Sequence, residues 1–404
     1  MHKKLWNKDY ILMLQGSAVS HLGDILYSVA IGYWVYEETN SSALMGIMSS
    51  ISMFMTMFVM PFSGSIIDKC DRKAIIVGMD ALRGIIMLAV GGLAFAGQLS
   101  VHAVLIAALL ASGCSVFFSP AVSTLMIDII PHDDMVRGQS VQSGVMTALS
   151  LVGKAVSGAL VALLGVPLII TVNGVSYLLS AFTEAFISVP KSRKQGSTVS
   201  VRGLLSDFSV GFREILHNPY LRLFIPCAII VNFLGAGPAT LMLPFVLGKG
   251  FTVDMYGYLM SVETAASLLC VCALSIVKLK PRARYIAMAV GFLSSGLLYL
   301  TAYSTGNYTV MCVMLFCGCF ANTLGNSVFN ASMMLALPEE NRGAILGFVS
   351  AASTGGSALS AVVYGLLCDL FPIAAVFVSG TLLSAIPMLY LCLHKNTKEF
   401  VLTH

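Results

Sequence analysis

Hydrophobic stretches about 20 residues long follow one another along the whole chain, separated by short polar segments. Polar residues, prolines and glycines divide the chain into twelve of them: 11–36, 44–66, 74–96, 101–128, 138–164, 166–189, 219–247, 253–279, 285–304, 308–336, 343–367 and 371–393. A helix needs about 20 apolar residues to cross the hydrocarbon layer of a bilayer. Strands of a membrane barrel would instead alternate at every second position. The pattern predicts an all-α integral membrane protein with twelve transmembrane helices.

Composition agrees with this prediction and excludes several classes of protein. Hydrophobic residues make up 57% of the 404 residues and charged residues 10%, whereas soluble domains average about 45–50% and about 25%. The sequence has no G-x-x-x-x-G-K-[ST] motif and no nucleophile or metal-ligand cluster in a long polar segment. The ten cysteines lie mostly in apolar runs, as small buried side chains do. We therefore predict no enzyme activity, no cofactor or metal, and no nucleic-acid partner.

Lysine and arginine residues are concentrated in every second loop. The loops that would share one side with the N-terminus contain Lys3, Lys4, Lys8, Lys69, Arg72, Lys73, Arg137, Lys191, Arg193, Lys194, Arg202, Arg213, Lys278, Lys280, Arg282, Arg284, Arg342, Lys395 and Lys398. The six intervening loops contain only Lys249. Because basic loops stay on the cytoplasmic side, the sequence predicts a multi-pass cell-membrane protein with both termini in the cytoplasm. The basic start followed by a full-length span predicts no cleaved signal peptide.

One long polar segment, 190–218, divides the spans into two sets of six. Its second part places Leu204, Leu205, Phe208, Phe212, Ile215 and Leu216 on one helical face, which predicts an amphipathic helix at the membrane surface. The predicted organisation is a six-helix bundle at 1–189, a cytoplasmic linker at 190–218, and a second bundle with a cytoplasmic tail at 219–404. Residues 152–160 and 355–363 also align as a weak internal repeat. Chance similarity between helices rich in small residues is the alternative.

The turn between the second and third spans is densely charged. Residues 64–73, GSIIDKCDRK, resemble the signature G-x-x-x-D-R/K-x-G-R-R/K of the major facilitator superfamily. Gly64, Asp68, Arg72 and Lys73 match, while Asp71 replaces a glycine. In that family the aspartate meets a helix N-terminus and the arginine pairs with an acid at the end of the fourth span, where this chain has Asp128. The resemblance implies a cytoplasmic gate. The alternative is a turn that only sets the topology.

Longer stretches, 16–46 and 117–135, resemble macrolide-efflux proteins of the third family of drug:proton antiporters. The resemblance implies the major facilitator fold, two six-helix bundles, and export of a drug in exchange for protons. Two features depart from the antiporter pattern. The fourth span has no intramembrane arginine, and the fifth reads GKAVSG at 153–158, with Lys154 where a proline is expected. Proton coupling would then have to use other residues.

Ionisable side chains inside the predicted spans are the sharpest functional candidates, because each costs about 3 kcal/mol in the membrane. They are Asp24, Asp80, Arg83, Lys154, Glu184 and Glu263. The i, i+3 spacing of Asp80 and Arg83 predicts a local ion pair near the cytoplasmic end of the third span. Glu184 lies about one turn from the predicted inner boundary, and we expect its carboxylate to reach the interface.

Asp24, in the middle of the first span, is predicted to bind a proton or a cationic substrate. The alternative is an acid that packs helices together through neighbouring hydroxyls. Lys154 and Glu263 each lie about ten positions from the outer end of their span, about 15 Å deep. Because spans 5 and 8 face each other in the resembled fold, we predict that these two residues form an ion pair when the outer side is closed. Separate structural roles are the alternative.

Aromatic and amide side chains are predicted to complete the site. Tyr27, Tyr33 and Trp34 share the first span with Asp24. Asn232 lies in the seventh span, and the tenth carries a stripe of Asn322, Asn326 and Asn330. A hydrogen-bonded seam between helices is the alternative for this stripe. Twenty-two methionines and as many phenylalanines suit a deformable apolar site.

The sequence therefore predicts a monomeric secondary transporter that exports an amphipathic small molecule, drug-like or macrolide-like, by alternating access and proton antiport. Its partners would be the substrate, protons and the lipid bilayer. A translocator of the same fold for a lipid, lysolipid or dedicated metabolite such as a siderophore or peptide is one alternative, in which Lys154 would bind a headgroup. A non-transporting membrane receptor or scaffold is the other.

Overall fold

The computed structural model describes residues 5–67, 70–131, 134–188, 209–210, 212–277, 281–337 and 342–394. All regular elements among these residues are helices. They are α1 (Lys8–Thr39), α2 (Ser42–Ile67), α3 (Arg72–Phe95), α4 (Val101–Ile129), α5 (Met135–Leu164), α6 (Val166–Glu184), α7 (Leu221–Thr240), α8 (Met242–Gly248), α9 (Val253–Ile276), α10 (Pro281–Ser304), α11 (Tyr308–Ala336), α12 (Arg342–Leu370) and α13 (Ile373–Leu393). The long helices follow the predicted hydrophobic stretches, and the predicted all-α membrane fold is confirmed.

Eleven of these helices are long and apolar enough to cross a membrane. The remaining long helix, α1, has 32 residues and carries His21 and Asp24 in its middle. Large apolar side chains on the helices are widely exposed; Leu163 and Ile276, for example, expose 80% and 83% of their surface. An apolar exterior of this extent needs a solvent other than water, and lipid is the solvent that suits it.

The seventh predicted span, 219–247, differs from a single helix. The chain forms α7 up to Thr240, turns at Leu241, and continues as the seven-residue α8. Pro244 explains the break, because it has no N–H to donate to the carbonyl of Thr240 and its ring crowds that carbonyl.

The fifth and sixth spans, by contrast, are joined by a single residue, Gly165. Its φ of 75° and ψ of 158° are accessible only to glycine.

The chain groups into two compact units. The first comprises Met1–Asn40, Ile51–Ser200 and Val253–Tyr258, and the second comprises Ser41–Ser50, Val201–Thr252 and Leu259–His404. The first turns of α2 therefore belong to the second unit, and the first turn of α9 belongs to the first. The predicted boundaries at 189/190 and 218/219 stay a prediction.

Each unit has its own apolar core. The core of the first unit joins α1, α3 and α4 through residues such as Tyr10, Ile76 and Leu125, and that of the second unit contains Phe224 and Phe292. Part of the predicted linker helix is helical, at 212–217. There Ile215 is buried in the second core, and Phe212 packs against Phe348 with ring centroids 5.6 Å apart. The other predicted apolar positions, Leu204, Leu205 and Phe208, lie outside the described residues.

Candidate functional site

Asp24 lies in a polar network between α1, α3 and α6 of the first unit. The hydroxyl of Tyr177, on α6, donates a hydrogen bond to the Asp24 carboxylate. The side-chain amide of Asn173, one turn earlier on α6, lies 3.5 Å from the same oxygen. Asp24 is half-buried. The Asp24 carboxylate thus has hydrogen-bond donors on the side of α6, and the residue as a whole is half-buried.

Arg83, on α3, connects this carboxylate to a second one. Its guanidinium forms an ion pair with Asp80, which is completely buried, so the predicted i, i+3 pair is confirmed. Another nitrogen of the guanidinium, Nη1, lies 3.4 Å from the Tyr177 hydroxyl oxygen. The guanidinium also stacks between the rings of Phe118 and Tyr177, 4.3 and 4.5 Å from their centroids. Tyr177 therefore links the Arg83 cation to Asp24.

The prediction for Glu184 is wrong. Its carboxyl group does not reach the interface, because the residue is completely buried. Neither carboxyl oxygen has a hydrogen-bond partner among the described residues. The chain remains folded beyond α6, where the Ser188 N–H donates to Asp9 at 2.8 Å. On its other side Gly16 of α1 packs so closely that a Cβ there would lie 2.9 Å from Glu184 Oε1.

The aromatic residues predicted on the first span are spread along α1. Tyr27 follows Asp24 by less than one turn, and its hydroxyl is buried without a partner in the described part of the chain. Tyr33 and Trp34 lie two to three turns beyond Asp24 on the same helix, and both are half-buried. Of these three aromatic residues, Tyr27 is the one that the structure places next to Asp24.

The second unit contains a cavity of about 570 Å³. Glu263, Asn232 and Asn326 all line it, together with Asn322 and Asn330. The Asn326 amide donates to the carbonyl and side-chain oxygens of Asn322, one turn away on α11, at 3.0 and 2.9 Å. The asparagine stripe therefore faces the cavity, and two of its members, Asn322 and Asn326, are hydrogen-bonded to each other within α11.

The remaining lining of this cavity is mainly aromatic and apolar. Tyr299 and Tyr303 of α10 stack on each other with ring centroids 6.0 Å apart, and Phe292, Phe329 and Met242 also contribute. Sequence reasoning missed the two tyrosines, although their i, i+4 spacing within a span places them on one face. One carboxyl, several amides and a set of rings are the groups that an amphipathic ligand would contact.

The structure describes residues 64–67 and 70–73 of the charged turn. Arg72 Nη1 lies 2.5 Å from Asp128 Oδ2, and both side chains are mostly buried, so the predicted pairing is confirmed. Asp71, which replaces the signature glycine, accepts the N–H of Lys73 at 2.9 Å and thereby caps α3. Gly64 lies in α2, and Asp68 lies outside the described residues.

Lys154 and Glu263 belong to different units. The Lys154 carbonyl accepts the hydroxyl of Ser157 on the same helix, at 2.8 Å. The predicted ion pair between Lys154 and Glu263 stays a prediction.

Sequence reasoning missed the contribution of α6. Asn173, Tyr177, Ser180 and Glu184 recur every three to four residues, so they form a polar stripe along one face of this helix. This spacing is visible in the sequence and is the signal that would have identified the partners of Asp24. All four residues lie against α1 or α3 in the first unit.

Comparison with known proteins gives concordant results. The family model of the Major Facilitator Superfamily matches residues 13–361. BacE of Bacillus amyloliquefaciens, whose name proposes an exporter of bacilysin, is 30% identical over 53% of this chain and 52% of its own length. Macrolide efflux protein A of Streptococcus pyogenes is 23% identical over 46% of each chain. The matched part of the chain thus spans about half the length of these curated relatives.

A solved structure supports the same fold. The crystal structure of the nucleoside transporter NupG superposes with a TM-score of 0.70. The superposition covers 94% of this chain and 97% of that one, at 15% sequence identity. At this identity the likeness concerns the fold alone.

Proposed function

Because this chain belongs to the Major Facilitator Superfamily, we propose that it is a secondary transporter that exports an amphipathic small molecule in exchange for protons. Members of this family are transporters and not enzymes. Relatives named for efflux of macrolides and for export of bacilysin support the export direction. The proton gradient would supply the energy, at about 2.3 kcal/mol for each charge moved through 100 mV.

Asp24 carries the proposal of proton coupling. Asp24 is a half-buried residue in the first predicted span, and its carboxylate accepts a hydrogen bond from the Tyr177 hydroxyl. The Arg83 guanidinium contacts the same hydroxyl. An acid in such a place is costly, and function is the usual reason for its presence. Tyr177 and Arg83 stabilise the carboxylate, while burial favours the neutral acid. The balance between these opposing effects is what lets a coupling acid bind and release protons.

The cavity in the second unit supports an amphipathic substrate. Its volume of about 570 Å³ lies within the range of about 300–1,000 Å³ found for small-molecule sites. The rings of Tyr299 and Phe292 offer apolar contact, Asn232 and Asn326 offer hydrogen bonds, and Glu263 offers a negative charge. A cationic or neutral amphiphile matches these groups better than an anion does.

The charged turn is proposed to act as the cytoplasmic gate. The Arg72–Asp128 ion pair ties the start of α3 to the end of α4. Gly64, Asp68 and Lys73 would complete the motif in the way that the family resemblance implies. Release of the substrate outside and of protons inside would then require the gate to open and close in each cycle.

The experiment uses energised inside-out vesicles and measures accumulation of ethidium, a cation, and of erythromycin, a macrolide. We expect uptake that depends on the proton gradient in the wild type and in Glu38→Gln, which neutralises an exposed acid at the outer end of α1. Asp24→Asn should abolish uptake, because it can no longer exchange a proton. Glu263→Gln should also reduce uptake of ethidium, because it removes a negative charge from the cavity lining. Uptake that does not depend on the proton gradient and is the same in Asp24→Asn as in the wild type would refute proton antiport.

A transporter for one dedicated metabolite is the second candidate. It is favoured by the relative whose name proposes export of a single compound. In this case neither ethidium nor erythromycin would accumulate, while Asp24→Asn would still abolish gradient-driven transport of the metabolite.

A further inference from the structure

The polar network of the first unit contains more acids than one cation can neutralise. Asp24, Asp80 and Glu184 are three carboxyl groups, Arg83 is the guanidinium that lies among them, and the imidazole of His21 lies near Asp24 on α1. If all three acids were ionised and His21 were neutral, the network would carry two net negative charges inside the membrane. Uncompensated buried charge is expensive. Binding of protons by the acids would remove this excess charge.

The geometry shows which acid lacks a counter-ion. Asp80 has the direct ion pair with Arg83. Asp24 shares the same guanidinium through the Tyr177 hydroxyl. Glu184 has no hydrogen-bond partner for either oxygen among the described residues and is completely buried. Its charged form would lose hydration without replacement, so the neutral acid is the form that this pocket accommodates.

Glu184 also lies in a distinct position along the membrane. It packs against Gly16, which precedes Asp24 by eight residues on α1. Eight residues of helix correspond to about 12 Å, so Glu184 lies that much nearer to the predicted cytoplasmic end. The charged groups that face it are Asp80 and Arg83 of α3. From α1, Gly16 packs against Glu184, and the Ser180 hydroxyl of α6 would lie at the same distance from a Cβ at that glycine.

We propose that Glu184 is a second proton-binding group, which passes protons from Asp24 to the cytoplasm. Glu184 is completely buried in this conformation, so in each step the packing of α1 against α6 opens, water on the cytoplasmic side reaches the carboxyl group, and Glu184 releases its proton there. A proton that entered on Asp24 then passes to the vacated Glu184 oxygen. One proton enters and one leaves, so the network keeps its net charge. This inference deepens the proposed antiport and rests on it for the direction of proton flow.

The first test needs no substrate and measures the protonation state directly. Infrared spectra are recorded of the reconstituted protein at neutral pH. The spectrum of Glu184→Gln is subtracted from that of the wild type, and the spectrum of Glu38→Gln is subtracted in the same way as a control. We expect Glu184→Gln to remove a carbonyl-stretching band of a protonated carboxyl group. Glu38→Gln should remove only carboxylate bands. If Glu184→Gln also removes only carboxylate bands, the residue is ionised and the inference is wrong, whatever the protein transports.

The second test separates proton transfer from substrate binding. Ethidium uptake driven by the proton gradient should fall about 100-fold in Glu184→Gln, since positioned proton-transfer groups contribute at least about that factor. In Glu184→Gln, the rate of ethidium exchange across the vesicle membrane without a gradient should stay within about twofold of the wild-type rate. In Glu38→Gln, both the gradient-driven uptake and the exchange should stay within that range. Glu184→Asp retains the acid and should restore part of the driven uptake, which guards against a mere folding defect.

The outcomes distinguish the two proposals. Equal gradient-driven uptake in wild type and Glu184→Gln would overturn the relay and leave the role of Asp24 intact. Loss of both driven uptake and exchange in Glu184→Gln and Glu184→Asp would also overturn it, since the residue would then be structural. If Asp24→Asn has no effect while the infrared band is present, the proposed antiport fails although Glu184 is protonated.

Discussion

The crossing of α5 and α9 gives the sharpest mechanical prediction. Gly158 of α5 lies against the first turn of α9, and both belong to the first unit. A Cβ at Gly158 would lie 2.1 Å from the Val253 carbonyl oxygen. On the facing helix, a Cβ at Gly257 would lie 2.7 Å from the Lys154 carbonyl oxygen. Two backbones that touch in this way tolerate no side chain at either glycine.

The magnitude follows from these distances. Ordinary contacts of a Cβ begin near 3.4 Å, so Gly158→Ala must push the helices apart by more than 1 Å. The obstacle is backbone, which cannot rotate aside as a side chain would. Overpacking of this kind costs about 1–3 kcal/mol. A cost of that size lowers the population of the conformation with the two helices in contact by about 5–150-fold.

The assay is gradient-driven ethidium uptake, with the amount of folded protein checked by size-exclusion chromatography in detergent. Alternating access requires each conformation to be populated in turn, so we expect Gly158→Ala to slow uptake about fivefold or more. Gly257→Ala should do the same from the opposite helix. Gly144→Ala is the matched control, because it adds the same methyl group to α5 where no atom lies within 4 Å.

Uptake by Gly158→Ala equal to that of Gly144→Ala would refute this reasoning. It would mean that the close contact between α5 and α9 does not limit the transport cycle.

Two further predictions concern polar contacts at helix ends. Arg72→Gln and Asp128→Asn should each lower the thermal unfolding midpoint, because each removes one partner of an ion pair. The double variant should lower the midpoint by less than the sum of the two single shifts, which corresponds to a coupling free energy of about 1 kcal/mol. Asp369→Asn should destabilise the protein by about 1 kcal/mol, because the carboxylate accepts the Ser42 N–H at 2.6 Å and the Ser41 hydroxyl at 2.7 Å and so caps α2.

The controls for these variants neutralise exposed charges of the same type. Arg137→Gln serves for the ion pair and Glu38→Gln for the cap, since both residues are exposed, and neither should move the unfolding midpoint measurably. Additive shifts in the double variant would show that Arg72 and Asp128 do not interact in solution. An unchanged midpoint in Asp369→Asn would show that water replaces the cap without loss.

The sequence by itself predicted that the chain consists of long apolar helices and where most of them lie. The requirement is local, because each stretch must be long and apolar enough to cross the hydrocarbon layer. It also determined the Asp80–Arg83 pair, since residues three apart on a helix are neighbours in any fold. The Arg72–Asp128 pair was predictable through the family resemblance of the charged turn. Local periodicity alone does not connect residues so far apart in sequence.

Only the tertiary structure decided which polar side chains meet inside the first unit. Lipid and the protein interior are both apolar, so a uniformly hydrophobic helix does not reveal which of its faces is covered. Glu184 illustrates the consequence. Its distance from the end of the span predicted an interfacial carboxylate, but α1 covers it through Gly16. The sharing of Arg83 between Asp80 and Tyr177 likewise depends on how α3 and α6 face each other, which their individual sequences do not specify.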